Sequence, residues 1–265
     1  MGASDITIIG LIWASLLLVP TLIINYYFKL GQLKTYIVAT FRMVIQLAFV
    51  GLYLHYIFQW NDPFINFAYL VVMILIAVFS SIKQSKIDMK TFLMPVIIAT
   101  FVPTITILIY FNYLIVGLTD LFDAKYLIPI GGMLLGNSMK TNIIGMERFY
   151  GNLSTNGSEY LTRIAYGADR NRALHPFIKS SMLAASNPLV ASMLTIGLVS
   201  LPGMMTGQIL GGSLPATAIK YQIAIMISIF CSNILGVAIT LKLVIPKSFD
   251  QYDMPKKGIM ISKNK

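Results

Sequence analysis

Seven apolar stretches separated by polar connections constrain this chain more than any other feature. They cover residues 6–28, 35–58, 64–82, 92–118, 126–144, 183–201 and 219–244. A helix that crosses the hydrocarbon core of a bilayer needs about 20 mainly apolar residues, and each stretch supplies close to that. The fifth is the most broken, by Pro129, Gly131, Gly132 and Gly136, and it ends in Asn137, Ser138 and Lys140. Without it six spans remain; breaks of this kind are tolerated where neighbouring helices or a water-lined cavity satisfy the freed backbone groups. Of 265 residues, 57% are hydrophobic and 11% charged, whereas a soluble domain carries about 25% charged residues. Lipid is therefore the expected solvent. The expected fold is all-α, a single transmembrane domain over residues 1–265 that crosses the plasma membrane about seven times.

The charges give an independent count. The first connection holds Lys29 and Lys34, and the third Lys83, Lys86 and Lys90. The fifth holds Lys140, Arg148, Arg163, Arg170, Arg172 and Lys179, and the C-terminal region Lys242, Lys247, Lys256, Lys257, Lys263 and Lys265. The alternate connections hold only Lys125, alongside Asp62, Asp120 and Asp123. Lys and Arg mark the cytoplasmic side, so the N-terminus is expected outside and the C-terminus in the cytoplasm. The net charge of +10 is then a property of cytoplasmic loops and not a sign of nucleic-acid binding. Cys231 stands alone and lies in an apolar run, which excludes an internal disulfide and predicts a small buried side chain. The first residues, Met1 to Asp5, carry no basic segment of a signal peptide, and Ile6 breaks the myristoylation pattern.

The connection 147–179 is the one sizeable polar piece. Asn152 to Ser158 reads as a turn. Ser158 is placed to cap a short helix from Glu159, with Gly167 ending it and a basic stretch running to Arg172. Asn152 and Asn156 begin glycosylation-type triplets that carry no meaning on a cytoplasmic loop.

The run Val199-Ser200-Leu201-Pro202-Gly203-Met204-Met205-Thr206-Gly207-Gln208-Ile209-Leu210-Gly211-Gly212, followed by Ala218 to Ile223, resembles the signature of one ABC permease family. That family includes the bacterial FetB-type iron-export permeases and the plant aluminium-tolerance permeases. Arg42 to Leu47 and Leu135 to Met139 resemble it too. The resemblance implies a transport permease, homodimeric, that exports a metal ion, iron, with energy from a separate ABC ATP-binding subunit. It also implies that 147–179 couples to that subunit, with Glu159, Ala165, Gly167, Ala168, Arg170 and Arg172 as the coupling residues. Related permeases carry Glu-Ala-Ala-x-x-x-Gly there; this chain has Leu161, Thr162 and Arg163 in those positions ahead of Gly167.

The candidate path or gate residues are Arg42, Gln46, Asn137, Ser138, Pro202, Gly203, Met204, Met205, Thr206, Gly207 and Gln208. Arg42 is an intramembrane charge, costly unless it serves a purpose or snorkels, and Gln46 shares its helix face. The density of Gly and Pro from Pro202 onward predicts interrupted, non-helical backbone that lines a cavity or packs on protein. Met204 and Met205 are the candidate metal ligands, as soft thioethers, against the commoner role of filling gaps. Asn142, Asn187 and Asn233 are further polar groups in or beside the spans. His55, beside Tyr56 and Trp60, fits an interfacial aromatic belt, and neither it nor His175 has the neighbours of a zinc motif.

No G-x-x-x-x-G-K-[ST] occurs, so the chain is expected to have no ATP site or cofactor of its own, ATP being used by the partner. An ion-coupled secondary transporter is the alternative, but no Asp or Glu falls within the apolar stretches. An intramembrane enzyme would need a nucleophile with its base, or a carboxylate cluster, and the spans offer neither.

Overall fold

The structure, a computed structural model, describes residues 5–256. Lys257, Lys263 and Lys265 of the basic tail, like residues 1–4, lie outside the described residues. What is described is helical, without a strand. The first apolar stretch forms α1 (Ile8–Leu16) and α2 (Leu18–Tyr27), which meet at Leu17. Then come α3 (Leu33–Trp60), α4 (Pro63–Ser85) and α5 (Met89–Tyr110), the last prolonged by a π-helical turn over Phe111–Val116. They are followed by α6 (Ala124–Thr155), α7 (Gly157–Ala165), α8 (Arg170–Thr195), α9 (Gly203–Leu210) and α10 (Pro215–Ser248). Five helical segments are long and apolar enough to cross a membrane: Ile8–Tyr27, Leu33–Trp60, Pro63–Ser85, Met89–Val116 and Pro215–Ser248. α6 and α8, of 32 and 26 residues, have the length, since each residue rises about 1.5 Å, but are more polar.

Local chemistry sets several helix starts. Asp62 accepts from the backbone N–H of Phe64 and Ile65 to start α4 at Pro63, whose missing N–H costs nothing there. Asp88 starts α5, accepting from the hydroxyl and backbone N–H of Thr91. These bonds hold its carboxyl below the usual carboxylate range. The stabilisation is present above that range and is lost as pH falls through the lowered value.

Several expectations are corrected. α6 is one unbroken helix: Pro129 sits in its second turn and removes a single early bond, while Gly131 and Gly132 are sites of close packing. The sixth apolar stretch is shifted, because its helix starts at Arg170 and ends at Thr195, and 196–200 turns back. The polar start of α8 is helical because Ala173, Leu174 and Phe177 are buried in the core. Asn152 to Thr155 continue α6, so the turn is confined to Asn156, and α7 starts at Gly157 without a side-chain cap, not at a Ser158 cap. The residues between the two long helices are thus 156–169. Cys231 is exposed on α10, not buried.

The core is the bundle of α4, α5, α6, α8 and α10. Lipid gives helices no hydrophobic drive to associate, so close van der Waals fit and interhelical hydrogen bonds must hold them. The contacts have that character. A Cβ at Gly131 would stand 2.8 Å from Leu70 Cδ1, and one at Gly145 would stand 3.1 Å from Val237 Cγ1. Ser181 donates to the Gly145 carbonyl, and Thr240 to Asn142 Oδ1 at 3.2 Å. Pro103 cannot donate to the Ala99 carbonyl, and Gly236 of α10 lies against that freed oxygen, with 3.5 Å from it to a Cβ built there. By contrast α3 buries no residue, and it meets α4 through the Tyr53–Tyr69 hydroxyl pair at 2.6 Å.

Candidate functional site

At one end of the bundle α7 is held against the C-terminal end of α10. Tyr160 is wholly buried, its ring 5.4 Å from that of Phe249, and its hydroxyl donates to the Asp253 carbonyl at 2.6 Å. Arg170 pairs with the Asp253 carboxylate at 3.1 Å and lies over the Phe249 ring. Asp250 stabilises the turn that presents Asp253, accepting from the N–H groups of Tyr252 and Met254. Gly167, at φ +84°, lets the chain reverse between α7 and α8. This anchor leaves the other face of α7 exposed: Leu161, the Glu159–Arg163 ion pair, Ala165 and Tyr166, the last 88% exposed.

Burial, with the nearby Asp253 carboxylate, pushes the Tyr160 phenol up to about 12. A raised value means that the neutral phenol is favoured in the folded state. Its stabilisation is complete below the ordinary value of 10 and is lost as pH rises toward 12. Tyr160→Phe is expected to lower the melting temperature at neutral pH, losing the ~1 kcal/mol of one buried hydrogen bond. The same variant should remove the alkaline loss of stability, which a melting series across that pH range reads out.

At the opposite end, α8 and α10 are joined by a turn and α9. The glycine- and proline-rich run was expected to be non-helical; instead Gly203 to Leu210 form a helix, with Pro202 just ahead of it and Gly212, at φ +96°, just after. Both breakers sit at the ends, where helices tolerate them. α9 folds back beside α10 and leaves a cavity of about 430 Å³. Met193 of α8, Met205 of α9 and Gln222 and Met226 of α10 line it, with aliphatic side chains and no charged residue.

Several polar side chains are buried among these helices: Ser138 and Asn142 of α6, Ser181 of α8, Ser232, Asn233 and Thr240 of α10, and Thr104 of α5. Asn142 Nδ2, Asn233 Oδ1, Ser232 Oγ and Thr104 Oγ1 have no hydrogen-bond partner among the described residues. Groups of this kind in an apolar bundle are costly unless something polar meets them.

The structure thus separates the sequence candidates. Pro202 and Met205 line the cavity, whereas Met204 packs toward the core. Thr206 bonds back to the Pro202 carbonyl at 3.1 Å, Gln208 Oε1 is buried without a partner, and Gly203 and Gly207 are exposed. Asn137 donates to the Met133 carbonyl at 2.8 Å, within its own helix, while Ser138 faces Gly236. Arg42 and Gln46 are exposed on α3, away from the cavity. Of the coupling candidates, Arg170 is held by Asp253, Ala168 is half-buried, Glu159 pairs with Arg163, and Arg172 is exposed beside Asp169. Tyr160, Asp253, Met193, Gln222 and Met226 were not singled out. Only the four-residue spacing of Gln222 and Met226 was visible in the sequence. No group of three or more His, Cys, Asp or Glu that could hold a metal occurs among the described residues.

An all-helical bundle with apolar helices of crossing length and polar side chains buried among them defines a multi-pass membrane protein. The chain belongs to the family described as "Uncharacterised protein family (UPF0014)", whose sequence model matches residues 8–249. It is 32% identical over 254 residues to the Escherichia coli K12 protein named "Probable iron export permease protein FetB", covering 94% of this chain and 95% of that one. It is 30% identical over 237 residues to "UPF0014 membrane protein YjkA" of Bacillus subtilis, covering 89% and 93%. It is also 30% identical over 206 residues to "Protein ALUMINUM SENSITIVE 3" of Arabidopsis thaliana, covering 77% and 73%. No solved structure matches significantly.

Proposed function

We propose that this chain is the membrane permease of an ABC transporter, seven spans with the N-terminus outside and the C-terminus in the cytoplasm, driven by a separate ATP-binding subunit. The observation that carries the reading is α7. It is a short amphipathic helix, locked to the bundle through Tyr160 and Asp253, with Leu161 exposed on it and Tyr166 exposed at its C-terminal cap. A large aromatic left in solvent at a helix end is the kind of anchor a partner protein buries. Because α7 joins α6 to α8 through short turns, a push on it is delivered to both. In this mechanism closure of the ATPase shifts α7, and the bundle exposes its buried polar side chains alternately to each side.

The permease works as a homodimer. α3 carries Arg42 and Gln46 exposed at membrane depth with no carboxylate on the neighbouring apolar helices, and an arginine facing lipid there is expensive. A second copy covering α3 removes that cost. The cargo is a metal ion moved outward; the name of the Escherichia coli relative supports iron.

The test is co-purification. The tagged protein, gently extracted from native membranes, is expected to bring down an ABC-type ATPase in stoichiometric amount. Leu161→Asp with Tyr166→Asp is expected to release the ATPase and leave the permease at wild-type yield and melting temperature, since both side chains are exposed. A clean wild-type preparation without an ATPase would overturn the reading and favour an ion-coupled transporter. Full retention of the ATPase by the double variant would move the docking surface off α7.

A further inference from the structure

The geometry points to a binding site for a soft, singly charged metal cation, of the copper(I) or silver(I) class, in the cavity between α8, α9 and α10. Taken as the cargo site of the permease proposed above, it rests on that reading and puts a soft monovalent ion in the place of iron as cargo; as a binding site, it does not rest on it.

Three methionines from three different helices, Met193, Met205 and Met226, line this one cavity, with Gln222 a turn before Met226 on the same face. Methionine also serves as flexible filler, but filling does not explain Gln222. That side chain is 6% exposed, and its Oε1 has no hydrogen-bond partner among the described residues. A buried amide oxygen left unpaired costs free energy that a ligand with positive charge would recover. Thioethers and an amide oxygen make a neutral donor set. Thioethers select soft ions, whereas iron(III), magnesium and calcium favour carboxylate and other hard oxygen donors, which this cavity lacks. Charge points the same way. The cost of moving an ion from water into an apolar medium scales with the square of its charge, so a divalent ion costs about four times a monovalent one of equal size. With no carboxylate to offset it, the cavity suits a single charge.

Position fits the role. Met226 lies eleven residues into α10, roughly 16 Å from its start at the rise of a helix, so the site reaches from α9 into the bundle. α9, held at both ends by turns, forms one wall.

Silver(I) is the probe, because it is redox-stable. The full-length protein, in lipid nanodiscs with a tag free of His and Cys, carries Cys231→Ser so that the exposed thiol does not compete. Competition against a chelator of known affinity is expected to give one tight site per chain. X-ray absorption at the silver edge should show sulfur neighbours. Met205→Leu and Met226→Leu, which keep size and apolarity, should each weaken binding by at least the ~10-fold that losing even an outer-shell partner costs. Met204→Leu and Met182→Leu, outside the cavity, should leave it unchanged. Absence of silver binding, or binding that survives the triple Leu variant at positions 193, 205 and 226, overturns the site; so does a cavity occupied by a lipid acyl chain that silver does not displace. Silver binding without any ATPase in the co-purification would keep the site and remove the cargo role, whereas an ATPase without silver binding would keep the permease reading and overturn the site.

Discussion

Membranes producing Gly145→Val should yield almost no folded protein. At Gly145, α6 meets both α8 and α10. A Cβ there would be 3.1 Å from Val237 Cγ1, 3.7 Å from Ala185 Cβ and 3.7 Å from Ser181 Oγ, and the Gly145 carbonyl takes the Ser181 hydroxyl. Valine would add a branched side chain where even its first carbon is crowded by Val237 and already in contact with α8. Overpacking a close-packed site costs about 1–3 kcal/mol, and the interhelical hydrogen bond is lost with it. Because lipid supplies no hydrophobic drive to restore the contact, the bundle should open along this seam. Gly136→Val is the control: it is in the same helix, but nothing stands within 4 Å of a Cβ there. Size-exclusion profiles of the two variants in detergent would separate them; a monodisperse Gly145→Val peak at wild-type yield would refute the packing account.

The second large effect is expected at Asn66. This side chain is fully buried, and its Nδ2 donates to Asn61 Oδ1 at 3.1 Å and to the Phe122 carbonyl at 2.9 Å. Asn61 Oδ1 in turn accepts the backbone N–H of Ala124 at 2.8 Å. The end of α3, the start of α4 and the start of α6 are therefore tied by one amide pair. Asn112 fixes the same connection, its Nδ2 donating to the Leu121 carbonyl at 2.7 Å. Asn66→Leu leaves the Phe122 carbonyl without its buried donor, a loss of about 1–3 kcal/mol. The variant is expected to melt measurably lower and to be cut faster by protease within 117–123. Combining it with Asn112→Leu should cost less than the two separate losses added, because both hold one segment. An Asn66→Leu protein that melts with the wild type would show that the connection is held by packing alone.

Apolar length, the absence of Asp and Glu within the stretches and the alternation of Lys and Arg decided class and solvent: a helical membrane protein follows from them without a structure, because a backbone in lipid must bond to itself. The SLPGMMTGQILGG run and its companions decided the family. The same signals misplaced boundaries wherever packing outweighed composition. α6 runs through Pro129 and its glycines because the proline falls in an early turn, and Gly131 is needed against Leu70. The polar start of α8 is helical because Leu174 and Phe177 are buried. Met205 was legible as a candidate, since its motif is unusual, but Met193, Gln222 and Met226 were not. They come from separate helices, and only the fold of α9 against α10 puts them around one cavity. The anchoring of α7 was hidden for the same reason. Tyr160 and Asp253 lie 93 positions apart in the chain, and no local pattern encodes a contact that exists only when the end of α10 arrives beside α7. The sequence by itself determined what solvent the chain lives in and which relatives it has; the tertiary structure alone decided which side chains meet, because meeting depends on packing between helices and not on order along one.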